Sequence, residues 1–177
     1  MINRIRNIIK KIYMHKLTRL GLKVGENFQM EKGCQIDTPF AWLINIGNNV
    51  TLASKVYILA HDASCKKHIG YTKIGKVNIG NNVFIGANST ILPNVSIGDN
   101  SIIGANSLVS KDVPENTIVA GNPAKIIDNL ELFIDKNKER MQTTNLYDES
   151  WTLRGKVTKE KKRIMVEQLQ NKFGYID

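Results

Sequence analysis

Residues 79–127 read IGNNVFIGANSTILPNVSIGDNSIIGANSLVSKDVPENTIVAGNPAKII, and their period decides the fold. Aliphatic residues stand six apart at Ile79, Ile85, Ile91, Ile97, Ile103 and Val109. Four places after each anchor comes a small or β-branched residue: Val83, Ser89, Val95, Ser101, Ser107 and Val113. Glycine follows four anchors, at Gly80, Gly86, Gly98 and Gly104. Residues two apart on a strand share a face, so the fourth-place residue and the next anchor both point inward from one short strand. The residues between strands turn, and glycine tolerates unusual backbone angles there. Three such sides close a triangular coil of 18 residues. Stacked coils bury aliphatic ladders that no coil buries alone, so the spacing predicts a parallel β-helix.

The same register continues upstream at Ile46, Leu52 and Ile58, with Val50 and Val56 in the second inward position. A weaker copy starts at Val24, Met30 and Ile36. Counting gives coils at 24–45, 46–63, 79–96 and 97–114, followed by a partial coil. The repeat breaks twice. After Ile58 the next anchor is due at 64 but falls at Ile79, so a loop leaves the coil over 61–76, HDASCKKHIGYTKIGK. A long loop inside a strict repeat reads as functional. Between Ile36 and Ile46 four extra residues surround Pro39, Phe40 and Trp42. Ile36 and Ile58 occupy the same side of successive coils, so both breaks emerge on one side, with Asp37 one coil below His61.

The flanks differ from the repeat. Residues 1–23 carry seven Lys or Arg and no acid, which supplies most of the net +9. Ile2, Ile5, Ile9, Ile12 or Tyr13, Leu17 and Leu20 recur at three-to-four spacing, the pattern of an amphipathic helix with a basic second face. Such a helix suits a cap over the first coil, and its charge suits a peripheral contact with anionic lipid. Residues 128–177 read as a helical extension, with helices near 128–141 and 158–172. The expected organisation is therefore 1–23 cap, 24–127 β-helix and 128–177 extension. No apolar run approaches the ~20 residues of a membrane span. Lys10 and Lys11 interrupt any signal-peptide core, so a cytoplasmic location is expected, peripheral at the inner membrane face if the helix binds lipid. Cys34 and Cys65 suggest neither a disulfide framework nor a metal site, and no metal is expected. No interleaving of aromatic and basic residues marks a nucleic-acid platform, and none is expected as a partner.

The run 79–127 resembles the hexapeptide-repeat acyltransferases, and is most similar to sugar O-acetyltransferases of the maltose/galactoside and polysaccharide-modifying type. The resemblance covers roughly residues 24–127. It implies a left-handed coil, a CoA-dependent acyl transfer with acetyl-CoA as donor, and a homotrimer. A bare triangular β-helix offers no deep pocket, whereas two packed side by side make a groove, and closed symmetry makes three. The implied acceptor is a saccharide hydroxyl, as on a surface-polysaccharide precursor. Other acceptors, an amino sugar or serine, and a non-catalytic scaffold are the alternatives.

Acetyl transfer to a hydroxyl needs a base, donors for the developing oxyanion, and an aligned acetyl group. Of His15, His61 and His68, His61 stands at the root of the inserted loop, where the related enzymes carry their catalytic histidine, and is assigned as the base. Asp62, next in the chain, and Asp37, one coil below, are candidate partners; His68 is a candidate lining residue of the acceptor site. By resemblance, Ala87 lies near the thioester and Ala105 along the pantetheine arm. Ser110 and Lys111 lie near the adenine and phosphates, and Lys125 near the 3′-phosphate. Phe84 stands where the related enzymes often carry Trp. The stretch MEKGCQID lacks the Asn with which they often contact the acceptor.

Overall fold

The computed structural model describes residues 2–177, with side chains from Ile8 onward. The chain divides into two compact units, one running through Leu130 and the other spanning Glu131–Asp177.

In the first unit the short strands fall into three parallel stacks, and each turn of the chain visits all three. The first stack holds Lys23–Val24, Ile44–Ile46, Val77–Ile79 and Val95–Ile97. The second holds Gln29–Met30, Thr51–Leu52, Phe84–Ile85, Ile102–Ile103 and Thr117–Ala120. The third holds Gln35–Ile36, Tyr57–Ile58, Thr90–Ile91 and Leu108–Val109. This is the expected three-sheet β-helix. The register is the sequence period: Ile36 pairs with Ile58, Ile58 with Ile91, and Ile91 with Val109. Lys125–Asn129 then closes the second stack antiparallel to Thr117–Ala120.

Anchors and fourth-place residues both face in. Val50, Leu52, Val56, Ile58, Ile85, Ile91 and Ile103 are almost wholly excluded from water. Each such side chain contributes about 1.5–3 kcal/mol of burial. Three fourth-place serines are also buried, and each hydroxyl donates to a carbonyl: Ser89 to Gly104, Ser101 to Pro114 and Ser107 to Gly104. Paired in this way they add no orphaned polar group to the core.

The turns differ from the expectation in an instructive way. Left-handed backbone is carried mainly by asparagine, at Asn27, Asn49, Asn82, Asn88, Asn94, Asn100, Asn106 and Asn116. Along one corner these side chains form a ladder, Asn27 to Asn49 to Asn82 to Asn100 to Asn116, with amide contacts of 2.9–3.0 Å. Asparagine tolerates this conformation, and its amide here bonds the coil above. The glycines after the anchors are absent from the positive-φ residues. They answer to stacking: a Cβ on Gly98 would lie 2.4 Å from the Glu115 nitrogen, and one on Gly86 2.5 Å from the Ala105 nitrogen.

The N-terminal helix α1 spans Ile2–Arg19. Ile2, Ile5, Arg4 and Arg6 lie outside the residues whose side chains are described. Beyond them the expected apolar stripe splits. Leu17 is buried and Tyr13 and Met14 pack on the core, whereas Ile9, Ile12 and Leu20 are exposed. The short first coil can cover only one narrow arc of the helix. Among the described residues no helix is long and apolar enough to cross a membrane. The inserted loop holds the one-turn helix α2, Lys66–Ile69.

Helix α3 spans Leu130–Gln142. The second unit contains most of it, helix α4 (Lys159–Gln168), and a parallel strand pair, Asn145–Tyr147 with Gly174–Ile176. Buried Tyr147 anchors this unit; its hydroxyl donates to Gln168.

Replacing Gly98 by Ala should cost about 1–3 kcal/mol through overpacking against the next coil. A urea midpoint equal to that of the native protein would contradict the stacking account.

Candidate active site

His61 leaves the third corner of the second coil, and its loop is closed at the root. His61 and Asp62 pair antiparallel with Ile74 and Lys73, and Gly75 N–H donates to the Ala60 carbonyl at 3.0 Å. One coil below, Asp37 follows Ile36 at the same corner. The Ile36–Ile58 register therefore carries the Asp37 carboxylate beneath residues 60 and 61.

Asp37 Oδ2 accepts from Ala60 N–H at 2.8 Å and from His61 N–H at 3.0 Å, and it lies 2.5 Å from His61 Nδ1. Its Oδ1 is buried with no hydrogen-bond partner among the described residues, so the charge is solvated through Oδ2. The Asp37 side chain is 1% exposed and that of His61 35%. A carboxylate only accepts hydrogen bonds, so it holds the proton of a neutral imidazole on Nδ1 and leaves Nε2 as the free base edge.

Asp62 faces elsewhere. It pairs with Lys73 Nζ at 2.6 Å and accepts from Ser64 N–H, and these contacts hold its carboxyl below the usual carboxylate range. Of the two candidate acids, Asp37 is thus the one in contact with His61. His68 lies exposed on α2.

A groove of about 970 Å³ opens beside the pair. Helix α1 supplies Ile9, Lys10 and Tyr13 to it; the first coil supplies the stretch from Met30 to Pro39; Leu59 and His61 complete it. The Tyr13 hydroxyl ties the helix to this coil, donating to the Ile36 carbonyl at 3.2 Å and accepting from its N–H at 2.9 Å. The expectation that one β-helix lacks a pocket of its own is thereby corrected, because the docked helix builds a wall that a bare coil lacks. Cys34 lines the groove with its thiol buried against the Ala53 carbonyl, and burial pushes its pKa up.

The sequence places Phe40 and Trp42 in the break between Ile36 and Ile46 without a role for either. Phe40 packs against the His61 ring at 5.2 Å between centroids, and exposed Trp42 against Phe40 at 5.6 Å. The three-to-four spacing marks Tyr13 only as a residue of the helix face. An aromatic pair inside an insertion beside the histidine was the available signal.

The residues assigned to the acetyl donor lie on two corners. Ala87 and Ala105 stack in successive turns between the second and third sheets, where the Ala87 carbonyl accepts from Asn106 N–H. Among the described residues neither alanine's own N–H donates a backbone hydrogen bond. Ser110 and Lys111 are exposed at the His61 corner, two coils further on, an offset of about 10 Å along the coil axis. Lys125 is exposed on the closing strand, and Phe84 is exposed on the second sheet. None of these touches His61. Among the described residues no three His, Cys, Asp or Glu side chains are grouped as metal ligands would be.

The "Bacterial transferase hexapeptide (six repeats)" model matches residues 76–111. Protein CapG of Staphylococcus aureus is 45% identical over 136 residues, covering 73% of this chain and 78% of CapG. A solved maltose O-acetyltransferase from Clostridium difficile 630 is 38% identical with a TM-score of 0.52, covering 62% of this chain and 59% of that one. A serine acetyltransferase from Brucella abortus strain S19, solved in complex with coenzyme A, is 26% identical with a TM-score of 0.50. That match covers 62% of this chain and 40% of the other. This chain therefore spans about half the length of those two solved proteins. The matched repeat, the three-sheet coil and the identity across most of CapG lead to one conclusion: the chain belongs to the hexapeptide-repeat acetyltransferase family.

Proposed function

We propose that the protein transfers an acetyl group from acetyl-CoA to a hydroxyl of a saccharide, with His61 as general base and Asp37 as its positioning residue. The observation that carries this is the Asp37–His61 contact beside an open groove. His61 Nε2 takes the hydroxyl proton as the acceptor oxygen attacks the acetyl carbonyl carbon. Charge developing on the carbonyl oxygen is met by a backbone N–H, for which Ala87 is the candidate. The carbon–sulfur bond then breaks, and the imidazolium returns the proton to the departing thiolate. The products are an O-acetyl ester and free CoA. Ala105, Ser110, Lys111 and Lys125 hold the donor, with the two lysines facing its phosphates.

The saccharide acceptor is supported by the similarity to a maltose O-acetyltransferase, and the CoA donor by the relative solved with coenzyme A. A surface-polysaccharide precursor is the narrower form of the acceptor. Phe84, Asp62 and His68 stand as candidates for the edges of the acceptor site. Transfer to serine is the second reading, favoured by the serine acetyltransferase similarity. A thiol-release assay with acetyl-CoA across sugars and serine separates the two. The reading places the enzyme in the cytoplasm, needs no metal, and includes peripheral membrane contact through α1.

His61→Ala should lower turnover by about 10²–10⁴-fold with acetyl-CoA binding unchanged. Near-native turnover in the folded variant would sink the assignment.

We further infer a homotrimer with each site shared between neighbours, because Ala87 and Ala105 lie on a different corner from His61. Packing two coils side by side brings unlike corners together. Light scattering should then report about three subunit masses. Mixing His61→Ala subunits with Lys125→Glu subunits should restore part of the activity that each lacks. No recovery in mixed trimers would show that one chain holds its whole site.

A further inference from the structure

Helix α1 presents two faces with different business. Leu17, with Tyr13 and Met14, packs on the first coil. On the opposite arc Ile8 and Ile12 are 52% and 64% exposed, flanked by exposed Lys11, His15, Lys16 and Arg19. At 100° per residue, Ile8, Ile12 and Arg19 fall within a narrow sector facing away from Leu17. No acidic residue precedes Glu26. A helix serving only as a solenoid cap presents a polar outer face. Branched apolar side chains in the middle of a basic face instead suit the boundary between acidic headgroups and acyl chains. They would be stranded in water on a nucleic acid.

The same helix is a wall of the groove. Ile9 lies between the outer arc and the packed face, Lys10 and Tyr13 lie beside Leu17 on the packed face, and the groove these three line runs to Asp37 and His61. Lys10 from the helix and Lys32 from the first coil put two cations into the groove, with Glu31 as its acid before Asp37. A ligand entering along α1 thus passes from a lipid-suited surface, by two ammonium groups, to the base.

We propose that the acceptor is a saccharide anchored to an anionic membrane through a phosphate-containing lipid. Helix α1 lies in the headgroup layer, Lys10 and Lys32 face the anionic linkage, and the sugar hydroxyl reaches His61. This rests on the saccharide reading of the site and adds to it where the saccharide is presented.

The experiment uses the full chain with two acceptors, a soluble oligosaccharide and the same oligosaccharide on a prenyl diphosphate. The second is embedded in vesicles of phosphatidylcholine with or without phosphatidylglycerol. The native protein should float with the phosphatidylglycerol vesicles, and it should acetylate the anchored acceptor there at least about tenfold faster than in neutral vesicles. The variant I8E/I12E alters two side chains that line no part of the groove. It should lose about tenfold of vesicle partition and of anchored-acceptor turnover, while turnover on the soluble acceptor stays native and certifies the fold. K11E/K16E should behave likewise. Equal use of the anchored acceptor by I8E/I12E would overturn the proposal and leave the saccharide reading standing. Failure of the native protein to bind phosphatidylglycerol vesicles, with or without binding to nucleic acid, would overturn it too. Rejection of both acceptors would remove the saccharide reading itself.

Discussion

The separation of neighbouring coils, one strand spacing of about 4.8 Å, is the constraint on which the rest of this structure depends. It brings the inward aliphatics of successive coils into contact and so makes the core. It lets each corner asparagine reach its counterpart in the next coil. It leaves no room for a Cβ at Gly86 or Gly98, whose neighbours across the gap are backbone atoms that cannot step aside. A repeat in which each position has one job per coil tolerates few breaks, and the chain makes its two long ones at one corner.

That corner is where the candidate chemistry gathers. A carboxylate one strand spacing below a histidine is within reach of both its backbone and its ring, and Asp37 uses both. A buried carboxylate is costly unless donors surround it. Here two backbone N–H groups and the imidazole converge on one oxygen. The result is an imidazole held by its inner nitrogen, with its outer edge toward a groove. Phe40 backs the ring, and the tyrosine of the docked helix fixes the coil from which Asp37 projects.

Much of this was legible in the sequence. The six-residue period from Ile79 to Val109 encodes the strands, their registers and their inward residues, because each position recurs often enough to declare its environment. The same counting put the two breaks on one side. What was not legible depends on contacts the period does not encode. Glycine after an anchor reads equally as a flexible turn or as a missing Cβ, and only the distance to the coil above separates the two. Spacing offers both Asp62 and Asp37 as partners, and only the Lys73 ammonium paired with Asp62 separates them. The stripe on α1 looked like one face because spacing alone cannot say which arc a short coil will cover. The groove followed from that docking, so it too was hidden.

The central claim is that Asp37 holds His61 with its proton on Nδ1 and Nε2 free. The most direct measurement is a long-range ¹H–¹⁵N correlation spectrum of the histidine side chains, with His61 identified by comparison with His61→Ala. The account predicts that neutral His61 is the Nδ1–H tautomer, with a downfield ring proton that disappears in Asp37→Asn. An Nε2–H tautomer, or a ring signal indifferent to Asp37, would contradict it.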